Sequence, residues 1–300
     1  MKFEITILGC GSATPTLLRN PTSQVVNIME RYMMIDCAEG TQLQLRKYKV
    51  AFQKIDHIFI SHLHGDHYLG LVGLVSSFHL FGRSKTLHIY GPKDLEQIIF
   101  NQLKASKTFL CYQIEFHPLA NNSSELIFED AILEVYTIPL KHRIYCNGFL
   151  FKEKEKDRKL SKHLIDKYSI PVEMMPKLKK GEDWGGIKNE KLTLEPNKPR
   201  SYAFCSDTSY TESIIPLIKG ADLLYHEATF LDDMKDRAKS TFHSTAKQAA
   251  KIGQLANVKS LLLGHYSARY ISSAEFEYEA KEVFKNVKAV EDGDVFTIPS

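Results

Sequence analysis

Three histidines and one aspartate lie within six consecutive positions, at His62, His64, Asp66 and His67. The apolar residues 57–61 before them are typical of a β-strand, and a helical pattern follows. His62 and His64 are two positions apart, so in extended backbone their rings point to the same side and can hold one ion. Asp66 and His67 then face a second ion. Imidazole and carboxylate ligands suit Zn²⁺ or Mn²⁺, so the cluster predicts a metal site where a strand leads into a helix.

Four residues on one short loop cannot fill the coordination spheres of two ions, so more distant ligands are needed. His142, Asp207 and His265 are the candidates, because each lies at or just after the end of an apolar segment that is typical of a strand. A carboxylate such as Asp207 can bridge two metal ions. The site therefore requires these strand ends to meet in the fold. Five other histidines stand alone and are interpreted as ordinary core or surface residues: His57, His79, His88, His117 and His163.

Short apolar segments alternate with helical patterns, which indicates an α/β protein. The predicted strands are residues 3–9, 25–29, 32–36, 57–61, 86–90, 132–139, 148–151, 201–206, 223–226 and 260–265. The predicted helices are residues 41–48, 67–81, 94–104, 211–218, 244–255 and 274–284. The sequence shows no repeat of fixed period, and its length suits one large domain or two small ones. We expect a single domain over residues 1–300.

One segment, residues 152–198, lacks this pattern and is rich in Lys and Glu, with several Gly and Pro. Residues 152–200 hold 14 Lys and Arg against 9 Asp and Glu, a balance of +5, and the rest of the chain holds 25 against 27, a balance of −2. We predict an inserted arm outside the core sheet, with a short helix around residues 159–167. The arm is either a solvated loop or a contact for a polyanion.

The bulk composition is that of an ordinary globular protein, with 43% hydrophobic and 25% charged residues. No apolar run reaches the roughly 18 residues that a membrane span needs. The N-terminus lacks the apolar core and cleavage site of a signal peptide. The five cysteines are scattered and form no Cys-x-x-Cys pair, which argues against a disulfide framework or a thiolate metal site. We therefore expect a cytoplasmic protein.

Residues 62–67 match the His-x-His-x-Asp-His signature of the metallo-β-lactamase superfamily, and further blocks resemble its ribonuclease Z branch. Those blocks are residues 9–12, 36–42, 90–92, 226–229, 243–245 and 265–270. Together they cover nearly the whole chain. The resemblance implies a four-layer αββα sandwich with metals at one edge between the sheets. It also implies a homodimer and a protruding basic arm, residues 152–198, that grips tRNA.

The resemblance further assigns the ligands and the substrate. It implies two Zn²⁺ ions per chain, with Mn²⁺ as an alternative. His62, His64 and His142 would bind the first ion, Asp66, His67 and His265 the second, and Asp207 would bridge them. The implied reaction is endonucleolytic cleavage of precursor tRNA, leaving a 3′-hydroxyl on the tRNA and a 5′-phosphate on the trailer. The lysines that match the arm of the family are Lys177, Lys179 and Lys180.

Proton transfer needs an acceptor for the attacking water and a donor for the leaving ribose oxygen. Asp66 is the candidate acceptor, and His243 is the candidate donor. Glu227 could hold His243 protonated by bonding its other ring nitrogen, as carboxylates do for histidines elsewhere. Arg269 is interpreted either as a phosphate contact or as a structural ion pair, and His226 either as part of the site or as packing.

Two other functions remain open at this stage. A small-molecule hydrolase of the same superfamily, such as a cyclic-nucleotide phosphodiesterase, arylsulfatase, glyoxalase-type thioesterase or lactonase, would share the metal site but would need no basic arm. A non-catalytic RNA-binding member would carry a decayed metal site. The complete set of candidate ligands argues against the second alternative.

Overall fold

Residues 2–300 are described by a computed structural model, and they form sixteen strands and ten α-helices. The strands are β1 (Phe3–Gly9), β2 (Ser23–Ile28), β3 (Arg31–Ile35), β4 (Ile55–Phe59), β5 (Leu87–Gly91), β6 (Ile114–Pro118), β7 (Leu126–Glu129), β8 (Leu133–Pro139), β9 (Asn147–Glu153), β10 (Lys159–Leu160), β11 (Thr193–Leu194), β12 (Ser201–Cys205), β13 (Leu223–Glu227), β14 (Ser260–Gly264), β15 (Val287–Ala289) and β16 (Val295–Thr297). The helices are α1 (Thr41–Lys47), α2 (Gly65–Tyr68), α3 (Leu71–Leu80), α4 (Leu95–Ala105), α5 (Lys162–Lys167), α6 (Met175–Lys179), α7 (Ile215–Ile218), α8 (Lys235–Thr241), α9 (Ala246–Leu255) and α10 (Ala274–Lys281).

Two seven-stranded sheets carry most of these strands, and each sheet mixes antiparallel and parallel pairs. The first has the order β16-β1-β2-β3-β4-β5-β6 and is parallel from β3 to β6. The second has the order β15-β14-β13-β12-β9-β8-β7 and is parallel from β12 to β15. Parallel strands all end at the same edge of a sheet, so the segments that follow them are brought together there.

The two sheets pack face to face through a shared apolar core. Phe59 on β4 has its ring centroid 5.4 Å from Phe149 and 5.5 Å from Phe151 on β9. All three side chains are fully buried, and each such burial stabilises the fold by roughly 1.5–3 kcal/mol. Helices α1, α3 and α4 cover the outer face of the first sheet, and α9 and α10 pack with the second. The layers are therefore αββα, and the predicted fold class is confirmed.

Each of the ten predicted strands overlaps a strand of the structure, but β6, β7, β10, β11, β15 and β16 were not predicted. All six are short, and β6, β7, β15 and β16 end the two large sheets, where many of their residues are exposed. A strand of this kind has no apolar run to reveal it. Their pairing depends on neighbours that are distant in the sequence, so local pattern alone does not predict them.

The segment between β9 and β12 has a small core of its own. Its strands β10 and β11 pair with each other only, and Ile170, Leu178 and Leu192 form a separate apolar cluster. The helix predicted for residues 159–167 is wrong at its start. Helix α5 begins at Lys162, because Lys159 and Leu160 pair with β11. No helix within residues 2–300 combines the length and apolarity needed to cross a membrane.

A buried ion pair closes the base of this segment. Glu153, the last residue of β9, lies 2.8 Å from the guanidinium of Arg200, which directly precedes β12. Glu153 also accepts hydrogen bonds from the backbone N–H of Arg200 and from Lys156. Burial alone would raise the pKa of Glu153, but Arg200 and Lys156 outweigh it and lower that pKa to about 2. The two ends of the segment are thereby fixed to the second sheet.

Candidate metal centre

The seven candidate ligands lie on four segments that leave strands at one edge of the sandwich. Residues 62–67 follow β4 and include α2, and His142 lies just past β8. Asp207 and His265 lie just past β12 and β14. Strands β8, β12 and β14 all run in the same direction within the second sheet, so their carboxyl ends share an edge. The convergence that the sequence analysis requires is present.

The first group of donor atoms comes from His62, His64, His142 and Asp207. The Nδ1 atom of His64 lies 3.0 Å from His62 Nε2 and 3.2 Å from His142 Nε2. Asp207 Oδ2 lies 3.6 Å from His62 Nε2 and 3.8 Å from His142 Nε2. Ligands about 2.0–2.1 Å from a tetrahedral zinc ion lie about 3.3 Å from one another, so these spacings suit one ion.

The second group comes from Asp66, His67 and His265, again beside Asp207. Asp66 Oδ2 lies 3.5 Å from the Nε2 atoms of both His67 and His265. Asp207 Oδ1 lies 3.1 Å from His67 Nε2 and 3.0 Å from His265 Nε2. Asp207 thus turns one carboxylate oxygen to each group, which is the arrangement a bridging ligand needs. The assignment of each residue to an ion stays a prediction.

Hydrogen bonds behind the centre orient His62 and His67. Ser61 Oγ donates to Asp36 Oδ2 at 2.9 Å, so it can accept from the Nδ1–H of His62 at 3.0 Å. The Nδ1–H of His67 is 2.7 Å from the same Asp36 oxygen and donates to it. Both rings then turn Nε2 towards the centre. Fixing the far nitrogen in this way sets the tautomer of a metal ligand.

His142 and His265 are held by the same device. His142 Nδ1 lies 3.1 Å from the backbone carbonyl oxygen of Phe242 and donates to it. Thr229 Oγ1 donates to Glu227 at 2.8 Å, so it can accept from His265 Nδ1 at 3.0 Å. Hydrogen bonds at Nδ1 therefore orient four of the imidazoles with Nε2 towards the centre.

The backbone is strained at three residues of the site. Asp36, Asp207 and His265 have φ values of 55°, 61° and 61°, in the left-handed region that non-glycine residues rarely adopt. Each such residue costs of order 1–3 kcal/mol, and this strain concentrates at functional sites. Asp36 directly follows β3, Asp207 lies just past β12, and His265 directly follows β14. At each of these positions the chain turns sharply and directs the side chain inward.

The electrostatics of the centre favour bound positive charge. Burial alone would lower the pKa of His265, but Asp207 and Asp66 outweigh it and raise that pKa to about 10. Burial would also lower the pKa of His67, but Asp207 and Asp66 outweigh it and raise that pKa well above its usual value. Burial, together with the neighbouring His67, lowers the pKa of His62, which favours its neutral, metal-binding form.

Two buried atoms test whether a metal ion fits. The Nε2 atoms of His67 and His265 have no hydrogen-bond partner, although buried polar atoms are nearly always paired. Both lie about 3 Å from a carboxylate oxygen of Asp207. Imidazole nitrogens and carboxylate oxygens that crowd together without hydrogen bonds are the donor set for a divalent transition-metal ion. The residues present fit the implied metal.

Glu227 and His243 form a hydrogen-bonded pair beside the ligands. His243 Nδ1 lies 2.8 Å from Glu227 Oε1, and Glu227 is fully buried. Glu227 also accepts from the backbone N–H groups of Thr208 and Thr229, each at 3.0 Å. Burial alone would lower the pKa of His243, but Glu227 outweighs it and raises that pKa. The pair thus holds a protonated imidazole with only Nε2 available to other groups.

An open cleft of about 490 Å³ gives access to the centre. Its lining includes His64, Asp66, Asp207, His243 and His265. The cleft therefore brings the candidate proton acceptor and donor to the same space as both groups of ligands.

The other predicted site residues lie outside the cleft. Arg269 stacks its guanidinium over the ring of Phe230 at 5.2 Å, a packing role that its two sequence interpretations did not include. Lys177, Lys179 and Lys180 are exposed on and beside α6. His226 is buried, with Nδ1 2.7 Å from the Glu227 carbonyl oxygen.

Four residues of the site were not singled out from the sequence, and one of them is Ser61, which faces His62 Nδ1 at 3.0 Å. Asp36 and Thr229 orient metal-ligand rings, and Arg143 lines the cleft with a guanidinium nitrogen 3.3 Å from His64 Nε2. A signal for Asp36 exists, because it is the last residue of a predicted strand, and the candidate ligands also lie at or just after strand ends. Arg143 is adjacent to His142, but a single arginine after a histidine carries no comparable signal.

Comparisons with known proteins agree with this geometry. A family model described as anti-Pycsar protein Apyc1 matches residues 3–150. A ribonuclease Z of Parabacteroides distasonis is 47% identical over 296 residues, covering 97% of each chain. A ribonuclease Z of Bacteroides fragilis is 46% identical over 290 residues, covering 95% of each.

Solved structures show the same fold. The short form of human tRNase Z has a TM-score of 0.73 and 29% identity, covering 99% of this chain and 100% of that one. The metallo-β-lactamase fold protein YhfI of Bacillus subtilis has a TM-score of 0.71 at 20% identity, which supports the fold alone. Identity near one half over almost the full length of curated relatives is decisive, and the chain belongs to the ribonuclease Z family.

Proposed function

We propose that this protein is a metal-dependent endoribonuclease that removes the 3′ trailer from precursor tRNA. Cleavage leaves a 3′-hydroxyl on the tRNA and a 5′-phosphate on the trailer. The observation that carries the proposal is Asp207, whose two oxygens face two separate groups of ligands in one open cleft. Full-length similarity to ribonucleases Z supports the choice of substrate.

Two Zn²⁺ ions per chain, or Mn²⁺ in their place, are the proposed cofactors. His62, His64 and His142 would hold one ion, Asp66, His67 and His265 the other, and Asp207 both. Two such ions would polarise the scissile phosphate and acidify the attacking water.

Asp66 is the proposed proton acceptor for the attacking water. Its carboxylate lines the cleft and is 9% exposed, so it meets both the ligands and the substrate space. The backbone N–H of Ala13 donates to Asp66 Oδ2 at 2.7 Å and holds the side chain in place. An ionised carboxylate fixed at the edge of the cleft can take a proton without moving.

His243 is the proposed donor to the leaving ribose oxygen, and Glu227 positions it. One ring nitrogen of His243 lies within 4.8 Å of ligand atoms of Asp207 and His265, so the donor is adjacent to the second group. Because Glu227 binds Nδ1, the proton to be transferred is on Nε2.

The arm, residues 152–198, is the proposed tRNA contact. Lys177, Lys179 and Lys180 present exposed positive charge there, and phosphate neutralisation dominates affinity for RNA. Arg269 is proposed to meet substrate phosphate from outside the cleft. Family resemblance supports a homodimer, which size-exclusion chromatography with light scattering tests. The cytoplasmic location stays a prediction from the sequence.

Incubation with a 3′-extended precursor tRNA, with and without chelator, tests the proposal. We expect one cut at the start of the trailer, mapped to the nucleotide, which chelation abolishes and Zn²⁺ or Mn²⁺ restores. Cleavage of bis-p-nitrophenyl phosphate without any cut in precursor tRNA would favour the small-molecule phosphodiesterase instead.

Deleting the arm separates RNA recognition from chemistry. Lys152 and Ser201 are register partners in antiparallel strands, so the next residues, Glu153 and Arg200, lie side by side. A two-residue Asn-Gly turn can therefore replace the segment between Glu153 and Arg200. The deletion keeps their ion pair and every candidate ligand. It should abolish cleavage of precursor tRNA and spare the small ester, and equal loss on both substrates would contradict a tRNA-binding arm.

A further inference from the structure

A second set of metal-binding side chains lies on the edge of the first sheet and outside the cleft. Strand β6 ends this sheet and pairs with β5 in parallel. His88 on β5 and Glu115 and His117 on β6 bring one donor atom each to within 4.8 Å of one another. None of the three lines the cleft. We call these three residues the edge cluster.

The strand register explains why the edge cluster forms. His88 is the register partner of Glu115, and Tyr90 is the partner of His117. Residues two apart on a strand share a face, so His88 shares a face with Tyr90 and Glu115 with His117. Cross-strand partners also share a face. All three donors therefore lie on one side of the two strands.

The spacings match the coordination sphere of a single ion. His88 Nδ1 lies 3.1 Å from His117 Nε2 and 3.4 Å from Glu115 Oε2. With bonds of about 2.0–2.1 Å to a shared ion, these separations correspond to angles of roughly 100° and 110° at that ion. Both are close to the tetrahedral angle of about 109°, and a fourth position would remain for water.

Packing holds the two imidazoles in position. His117 stacks on the ring of Tyr90 at 4.3 Å, and His88 stacks on His57 at 5.0 Å. His57 is itself packed against Phe128 of the second sheet, at 4.5 Å.

A hydrogen bond between the imidazoles explains only part of this arrangement. One neutral ring can donate to the other across 3.1 Å, but the Glu115 carboxylate lies 3.4 Å from the same His88 nitrogen, which carries at most one proton to donate. A bound cation satisfies all three donors at once. Two imidazoles and one carboxylate are ligands for Zn²⁺ and for neighbouring divalent transition metals.

We propose that His88, Glu115 and His117 bind one divalent transition-metal ion that joins β5 to the edge strand β6. This site is separate from the proposed catalytic centre and does not depend on the proposed function. The sequence analysis interpreted His88 and His117 as ordinary histidines, and the proposal revises that interpretation. Because the ion binds only when both strands are in register, it stabilises this edge against unfolding.

Counting bound zinc in matched variants tests the proposal. Wild-type protein, H88A/H117A and the control H163A, an exposed histidine of the arm, are dialysed against the same micromolar free Zn²⁺ and assayed for bound metal. We expect H88A/H117A to hold one ion fewer than the other two, and E115Q to bind that ion at least tenfold more weakly. The readout is a difference, so it does not depend on how many ions the cleft binds.

A second variant guards against misfolding and distinguishes the two sites. H62A/H64A/H67A removes ligands of the cleft and leaves the edge cluster intact, and it should retain one ion, with a tetrahedral visible spectrum when Co²⁺ replaces Zn²⁺. Zinc should raise its Tm, and adding H88A/H117A should remove that rise. Equal zinc content in wild type and H88A/H117A, or no ion in the cleft variant, would overturn the edge site while leaving the proposed nuclease untouched.

Discussion

The residues that orient the ligands contribute as much to the site as the ligands themselves. Asp36 accepts from His67 Nδ1, and Ser61 donates to the same carboxylate while it faces His62. The sequence predicted the ligands because they form a spaced pattern at strand ends. It did not predict the role of Asp36, because which ring a carboxylate meets depends on how β3 and β4 pair.

Replacing Asp36 by Asn should weaken metal binding without unfolding the protein. Asn has the same shape and tolerates the left-handed backbone found there, but its amide nitrogen cannot accept from Ser61 or His67. We expect the affinity for zinc at the centre to fall about 10–100-fold, with cleavage restored by added metal. Asp183→Asn, in the arm, is the control. Unchanged affinity in D36N would show that Asp36 does not tune the centre.

The Glu227–His243 pair predicts the pH dependence of cleavage. His243 donates only while protonated, so activity should fall as pH rises through its pKa, which Glu227 raises. Glu227→Gln removes that negative charge, so the alkaline limb of the kcat profile should move to lower pH. Loss of the proton donor should also lower kcat by roughly 10²–10⁴-fold above the new pKa.

Glu227→Asp provides the matched comparison, because it retains the negative charge at a shorter reach. In the kcat profile, the alkaline limb of E227D should therefore lie between the limbs of E227Q and wild type, and nearer to that of wild type. A lower kcat in E227Q with the alkaline limb unmoved would indicate a structural role for Glu227, through its bonds to Thr208 and Thr229, instead of control over His243.

At the scale of elements, the central strands follow from the sequence and the edges do not. Strand β1 begins and ends where it was predicted, because its apolar residues are buried between layers. Strand β6, with Glu115 and His117, is half exposed and carries no apolar run. The pairing of β6 with β5 depends on contacts between segments that are distant in the sequence. The edge cluster forms through this pairing, so the sequence alone does not predict it.

The arm depends on one buried ion pair at its base, and this predicts an acid-sensitive contribution to stability. The pKa of Glu153 is lowered to about 2, so its contribution is full above the unfolded value of about 4.5 and is lost as pH falls from there towards 2. Glu153→Gln removes the carboxylate that pairs with the buried Arg200 and should cost roughly 3–5 kcal/mol at pH 7.

Denaturant unfolding across the pH range measures this effect. The difference between wild type and E153Q should shrink between about pH 4.5 and pH 2, because the wild-type carboxylate becomes protonated there. Glu195→Gln is the control, since Glu195 pairs with Arg158 in the same segment but is 76% exposed. That exposed pair should contribute at most about 1 kcal/mol. A constant difference at every pH would contradict the assignment to Glu153.

At the scale of the whole molecule, the proposed chemistry and the proposed recognition of tRNA lie in separate regions. The metal centre lies at the edge of the two sheets, whereas the excess of positive charge lies between β9 and β12, in a segment with its own core. Segregation of this kind lets one hydrolytic centre serve a large polyanion, because affinity comes from a surface that does not touch the scissile bond. Each function should therefore be removable without the other.

Neutralising Lys177, Lys179 and Lys180 together as glutamines tests this separation. If each lysine neutralises one phosphate, the slope of log affinity for tRNA against log salt should become shallower by about two to three. KM for precursor tRNA should rise steeply at physiological salt, while kcat at saturation and cleavage of bis-p-nitrophenyl phosphate stay unchanged. The matched control neutralises three exposed lysines outside the arm, Lys93, Lys219 and Lys285. An equal change of slope in both triple variants would contradict a tRNA contact at the arm. Net charge, and not the position of the lysines, would then govern the affinity for RNA.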